Sequence, residues 1–227
     1  MIRRFSPRSC NRNFVLLALV AGLLAAPAQA DSHLGDEART FLTGFHERID
    51  AIVSDADAGP DDKRARVANE LAAHLDYGHL AAAALGKSAE GFSKEQFADF
   101  AQEYGVFLTD FFIGSIAASE PEPLKILDVN QQGDRVTVRT AGKARKGFIP
   151  GSMRIPRTSP EGRVVTYGLR QHRGAWRIQS VSFGGVDTST TFRGQFESFL
   201  RSGTPDALTE ELRKRNRAAA EKNPFAS

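Results

Sequence analysis

Residues 164–179 read Val164-Val165-Thr166-Tyr167-Gly168-Leu169-Arg170-Gln171-His172-Arg173-Gly174-Ala175-Trp176-Arg177-Ile178-Gln179. Val165, Tyr167 and Leu169 alternate with Thr166 and Arg170, and Trp176 and Ile178 alternate with Arg177 and Gln179. A period of two marks a strand with one buried and one wet face, because successive side chains of an extended chain point to opposite sides. Arg173-Gly174 supplies a turn between the two runs, so the segment reads as an antiparallel hairpin. Upstream, Val136 and Val138 alternate with Arg135 and Arg139, and Gln132-Gly133-Asp134 and Pro160-Glu161-Gly162 are further turns. Four or five strands in a meander are therefore expected between Leu124 and Val186.

On both sides of this region the period changes to that of a helix. Phe41, Phe45, Ile49, Ile52 and Val53 form one apolar stripe, broken at Ala58-Gly59-Pro60. Val67, Leu71, Leu75 and Tyr77 resume it, and an alanine-rich run at 80–85 closes at Gly86. Ser93-Lys94-Glu95-Gln96 fits a capping box, flanked by Phe92 and Phe97 as a hydrophobic staple. Phe97, Phe100, Tyr104, Phe107, Leu108, Phe111 and Phe112 then build a long aromatic face that ends before Pro121 and Pro123. Gly184-Gly185 reads as a strand end or bulge. Helix returns through Phe192, Phe196, Phe199 and Leu200, and Thr204-Pro205 opens the last helix. Helices, then strands, then helices predict an α+β fold: a twisted antiparallel sheet of four or five strands with helices on one face and at both ends, enclosing an apolar cavity.

The first thirty residues carry four arginines and no acid, then an apolar run from Phe14 to Pro27, then Ala28-Gln29-Ala30. That order predicts a cleaved secretory signal over 1–30, its apolar run being shorter than the ~20 residues that span a bilayer. The expected location is the periplasm. Residues 31–217 are expected to form a single domain and 218–227 a flexible charged tail. The lone cysteine, Cys10, lies in the signal, so no disulfide is expected after cleavage.

The formal charge of +3 becomes −1 once the four signal arginines are gone, so nucleic acid is not an expected partner. Charge is strongly divided: residues 31–130 hold 8 cations and 19 acids, whereas 135–177 hold 11 cations and one acid.

Catalytic chemistry finds no foothold. The histidines form no HExxH, since His46-Glu47 is followed by Asp50 where a second histidine would stand. No GxSxG or phosphate loop occurs, and Ser93 is accounted for as a helix cap. No enzyme, metal or cofactor is expected. The positive signal is aromatic: 14 of the 16 phenylalanines fall after residue 30, against three tyrosines and one tryptophan in all. An ordinary core explains such a composition by default. A lipid carrier differs only in that its sheet and helices stand apart to admit acyl chains. The expected lining is Phe97, Phe100, Tyr104, Phe107, Phe111, Val138, Val165, Tyr167, Leu169, Val181, Phe183, Phe196, Phe199 and Leu200, with Tyr167 and Phe107 on facing walls. Arg139, Lys143, Arg145 and Lys146 are expected to contact a headgroup or partner.

Val165-Thr166-Tyr167-Gly168-Leu169, Gly174-Ala175-Trp176-Arg177-Ile178, Gly185-Val186 and Phe192-Arg193-Gly194-Gln195-Phe196 together resemble the C-terminal signature of the MlaC, or toluene-tolerance, family. Asp76-Tyr77 and Ala84-Leu85-Gly86-Lys87 resemble its Asp-Phe and Leu-Gly segments, so the likeness covers most of residues 36–216. It implies a periplasmic carrier that holds phospholipid tails inside and leaves the headgroup in solvent. It also implies exchange with an inner-membrane ABC transporter complex and an outer-membrane lipoprotein complex, with transient membrane contact. Ser180, Gly184, Asp187 and Phe192 depart from the residues frequent in the family, which are Asp, Glu, Ser and Tyr. A divergent branch similar to HpnM, linked to hopanoid production, would carry a rigid polycyclic lipid instead. A third reading is an adaptor with a solid core that docks transport components and binds no lipid.

Overall fold

The structure is a computed structural model that describes residues 28–119, 123–142 and 163–226. Five strands, β1 (Lys125–Gln132), β2 (Arg135–Gly142), β3 (Arg163–His172), β4 (Ala175–Phe183) and β5 (Val186–Asp187), pair antiparallel in the order β1-β2-β3-β4-β5. The meander follows from its turns. Arg173 (φ 51°) and Gly174 (φ 78°) both take the left-handed conformation needed for a tight hairpin between β3 and β4. Gly184 (φ 57°) and Gly185 (φ 82°) repeat it before the two-residue β5. The expected turn at Pro160-Glu161-Gly162 lies outside the described residues.

Among the described residues six α-helices accompany the sheet: α1 (Ala28–Ser54), α2 (Pro60–His74), α3 (Tyr77–Leu85), α4 (Lys94–Ala117), α5 (Thr188–Leu200) and α6 (Pro205–Ala220). α1 runs unbroken across positions 30 and 31. α4 begins with the expected capping box: the Gln96 N–H donates to Ser93 Oγ (3.1 Å) and the Ser93 N–H to Gln96 Oε1 (3.0 Å). Phe92 packs on Phe100, ring centroids 5.6 Å apart. Thr204 caps α6 through the Ala207 N–H, and Pro205 occupies the first turn, where its missing N–H costs nothing.

One correction to the sequence reading concerns the end of α2. Leu75, read as helical, leaves the helix and bridges Ile178 in parallel, while the Asp76 N–H donates to the Ile178 carbonyl (3.0 Å). That pairing covers the part of β4 that the short β5 leaves open. Within residues 218–227, the Lys222 carbonyl accepts from Arg64, Asn223 donates to Asp61, and Phe225 packs against the core. Covering part of the Phe225 ring takes apolar surface out of water, which favours the contact.

Candidate functional site

The register aligns inward-facing side chains in rows across the sheet. Val136, Leu169 and Ile178 form one row and are 0–1% exposed. Next comes Val129–Val138–Tyr167–Val181, then Ile126–Thr140–Val165–Phe183. In this last row only Thr140 is buried, its hydroxyl donating to the Val165 carbonyl across the strand pair. Ile126, Val165 and Phe183 pack on the core yet keep part of their surface in solvent. Phe107, Phe111, Ile116 and Leu124, from the second half of α4 and the approach to β1, behave alike. Among the described residues, the inner face is thus sealed at the Arg173-Gly174 end and apolar but only partly buried at the end where β2 finishes.

All fourteen residues expected to line a pocket belong to, or pack against, one apolar cluster. Phe100, Tyr104, Val138, Tyr167, Leu169, Val181 and Phe196 are buried, whereas Phe97, Phe107, Phe111, Val165, Phe183, Phe199 and Leu200 are partly exposed. Phe97, Phe199 and Leu200 sit toward α6, where Gln96 bonds Asp206 and Phe199 crowds Gly203. Phe107 and Phe111 meet α5 and the sheet: Phe107 lies 4.9 Å from Phe192, and Phe111 lies 5.7 Å from Phe192 and 6.3 Å from Phe183. Tyr167 turns to α1 and Phe107 to α5, so the two rings expected to face each other serve different contacts.

The sequence reading passed over two contributors. Phe192 touches Tyr104, Phe107, Phe111 and Phe196, and its place one turn before Phe196 was the available signal. His46 lies 3.0 Å from the Tyr167 hydroxyl, with the two rings edge to face at 5.5 Å. Burial pulls His46 down to about 4 and pushes the Tyr167 phenol up. Burial also raises Tyr104, helped by the negative charge of Asp187. The Tyr104 hydroxyl is buried beside Ser189, and neither oxygen makes a well-formed hydrogen bond.

Arg139 stands exposed on the outward face, between inward Val138 and Thr140 and across from Asp128 and Thr166. Its side chain lies on the side of the sheet opposite Val138 and Thr140. Arg135, Arg170 and Arg177 oppose one another along the same face; Asp134 neutralises Arg170, and Arg177 donates to the Ala73 carbonyl. Lys143, Arg145 and Lys146 lie outside the described residues.

The residues that carry the family likeness turn out to build the frame. Asp76 accepts from the His79 N–H to cap α3 and from Gln179 on β4. Arg193 donates twice to the Ala83 carbonyl, closing the end of α3 onto α5. Gly86 (φ 55°) makes this possible, since a Cβ there would stand 2.9 Å from Arg193 Nε.

Comparison with known proteins agrees with that frame. A phospholipid-binding protein from Ralstonia solanacearum, solved in complex with a phospholipid, has a similar fold, with a TM-score of 0.55 and 16% identity over 86% of this chain and 99% of that one. No curated protein matches the chain. The MlaC protein family matches residues 45–214, the greater part of the sequence, and the chain belongs to that family.

Proposed function

We propose that this protein is a periplasmic lipid carrier that takes acyl chains in at the open end of its inner sheet face, between the sheet and α4, and moves them between the inner and outer membranes. The observation that carries this reading is the clustering of Phe107, Phe111, Ile116, Leu124, Ile126, Val165 and Phe183 at one end of the core, apolar yet incompletely covered by the protein. Apolar surface left in contact with water costs about 25 cal/mol per Å², and hydrocarbon from a lipid would cover it. The same scale sets the demand on the carrier: at ~0.8 kcal/mol per methylene, two acyl chains of ~30 methylenes need shielding worth on the order of 20 kcal/mol.

Residues 1–30 act as the cleaved export signal in this reading. The outward arginines, Arg139 among them, dock an inner-membrane ABC transporter complex and an outer-membrane lipoprotein complex, together with the basic segment at 143–146. The protein binds and hands over; it carries out no bond chemistry. The phospholipid held by the Ralstonia protein supports the cargo class.

Solvent extraction of protein purified from the periplasm, followed by mass spectrometry, tests the proposal. One lipid per protein is the expected result. Repeatedly empty protein that also takes up nothing from labelled vesicles would overturn it and favour an adaptor with a solid core.

A further inference from the structure

The hydrogen bond between His46 and Tyr167 leaves a donor over. A neutral imidazole and a phenol hold two exchangeable protons, and their mutual bond uses one. If Tyr167 donates to Nε2, the Nδ1–H remains; if Nε2–H donates to Tyr167, the phenol O–H remains. Either way the 3.0 Å pair keeps one unspent N–H or O–H, and no described residue accepts it. On α1 the neighbouring acids are Glu47, which is exposed, and Asp50, one turn along, whose carboxyl burial raises; neither makes a hydrogen bond to His46. His46 is only half-buried, so the donor left over stays within reach of a molecule resting against this part of the core.

Position narrows the partner's chemistry. Tyr167 occupies the row immediately inside Thr140–Val165–Phe183, the partly exposed one. Two residues along a strand span ~6.6 Å, so the pair sits about that far below the open end. A diacyl lipid with its headgroup in solvent carries its ester carbonyls a few bonds below the phosphate, at a comparable depth. The pair's surroundings are apolar: Val138 and Val181 flank Tyr167, and Phe45 lies against His46. Burial keeps the imidazole uncharged at neutral pH, so the station suits an uncharged acceptor and not a phosphate.

We infer that His46 and Tyr167 form a hydrogen-bonding station for a neutral oxygen of the cargo, either the ester carbonyl of a diacyl lipid or an alcohol of a polycyclic one. This rests on the lipid-carrier reading and adds to it a means of holding cargo at a set depth.

The test compares pairs of cargo that differ only in the acceptor. One arm uses diester phosphatidylglycerol against its diether analogue; the other uses a hydroxylated hopanoid against the parent hydrocarbon. Uptake from vesicles is measured for the wild-type protein, for Tyr167→Phe, and for the double variant His46→Leu/Tyr167→Phe. The double variant removes both polar partners and so guards against misfolding caused by one being left alone. The wild-type protein is expected to favour the oxygen-bearing member of one pair by about tenfold, the worth of one hydrogen bond, and the arm in which this appears identifies the source. Both variants should lose that preference while still binding. A preference that survives in the double variant, or its absence from both arms in the wild-type protein, overturns the station. Failure of the wild-type protein to take up any of the four lipids overturns the carrier reading along with it.

Discussion

The two halves of α4 have nearly the same aromatic composition and opposite fates, with one exception in each: Phe97 is partly exposed in the first and Phe112 buried in the second. In the first, Phe100 and Tyr104 are wholly buried, stacked on each other at 5.6 Å and closed in by Phe92 and Phe196. In the second, Phe107 and Phe111 pack against Phe192 and Phe183 but stay partly open, above the least covered row of the sheet. One stripe therefore does two jobs. Its start belongs to a closed core whose loss would be a loss of stability. In the proposed carrier its end is a wall, and losing part of a wall would chiefly change what can rest against it.

The sharpest way to break that distinction is Phe100→Ala. Deleting a ring with no solvent contact should cost about 3–5 kcal/mol, read as a lower urea midpoint at unchanged slope. If Phe111→Ala costs as much, the two halves are not different.

A second effect tests the boundary between core and wall, where His46 meets Tyr167. His46 falls from its ordinary value of 6.5 to about 4 in the folded protein. The unfolded chain thus binds the proton first as the pH drops, and stability is full above about pH 6.5, declines toward pH 4 and loses nothing further from this group below that. At pH 5 the loss is on the order of 2 kcal/mol. Urea unfolding at pH 7 and pH 5 should show a drop in the wild-type protein that is smaller by about that amount in His46→Leu/Tyr167→Phe. Equal drops would place His46 in water.

The smallest expected change is in Phe111→Ala itself. Because the ring is only partly buried, stability should fall by roughly 1–2 kcal/mol, while uptake of labelled lipid from vesicles falls several-fold. A variant that unfolds early yet loads normally would move Phe111 into the core.

Much of this architecture was readable one segment at a time. The alternation around Tyr167 and Trp176, the Arg173-Gly174 turn and the Ser93 cap depend on neighbours within a few residues, and each appears as expected. Long-range matters were not readable. Leu75 has a helical spacing and still joins the sheet, because Ile178 offers unpaired backbone beside it. The last ten residues look polar, and only the fold brings Phe225 apolar surface to pack on. His46 resembles any helical histidine until folding brings it to a phenol 121 positions away.

By itself, the sequence determined which segments are strands and which are helices, where they turn, and which face of each is apolar, since these depend on periodicity and on the torsional preferences of single residues. Tertiary structure alone decided which aromatic residues are sealed and which stay open, and which polar pair meets among them. Exposure belongs to the arrangement of elements: a phenylalanine at position 100 and one at position 107 carry the same side chain, and only the neighbours brought over each by the rest of the fold tell them apart.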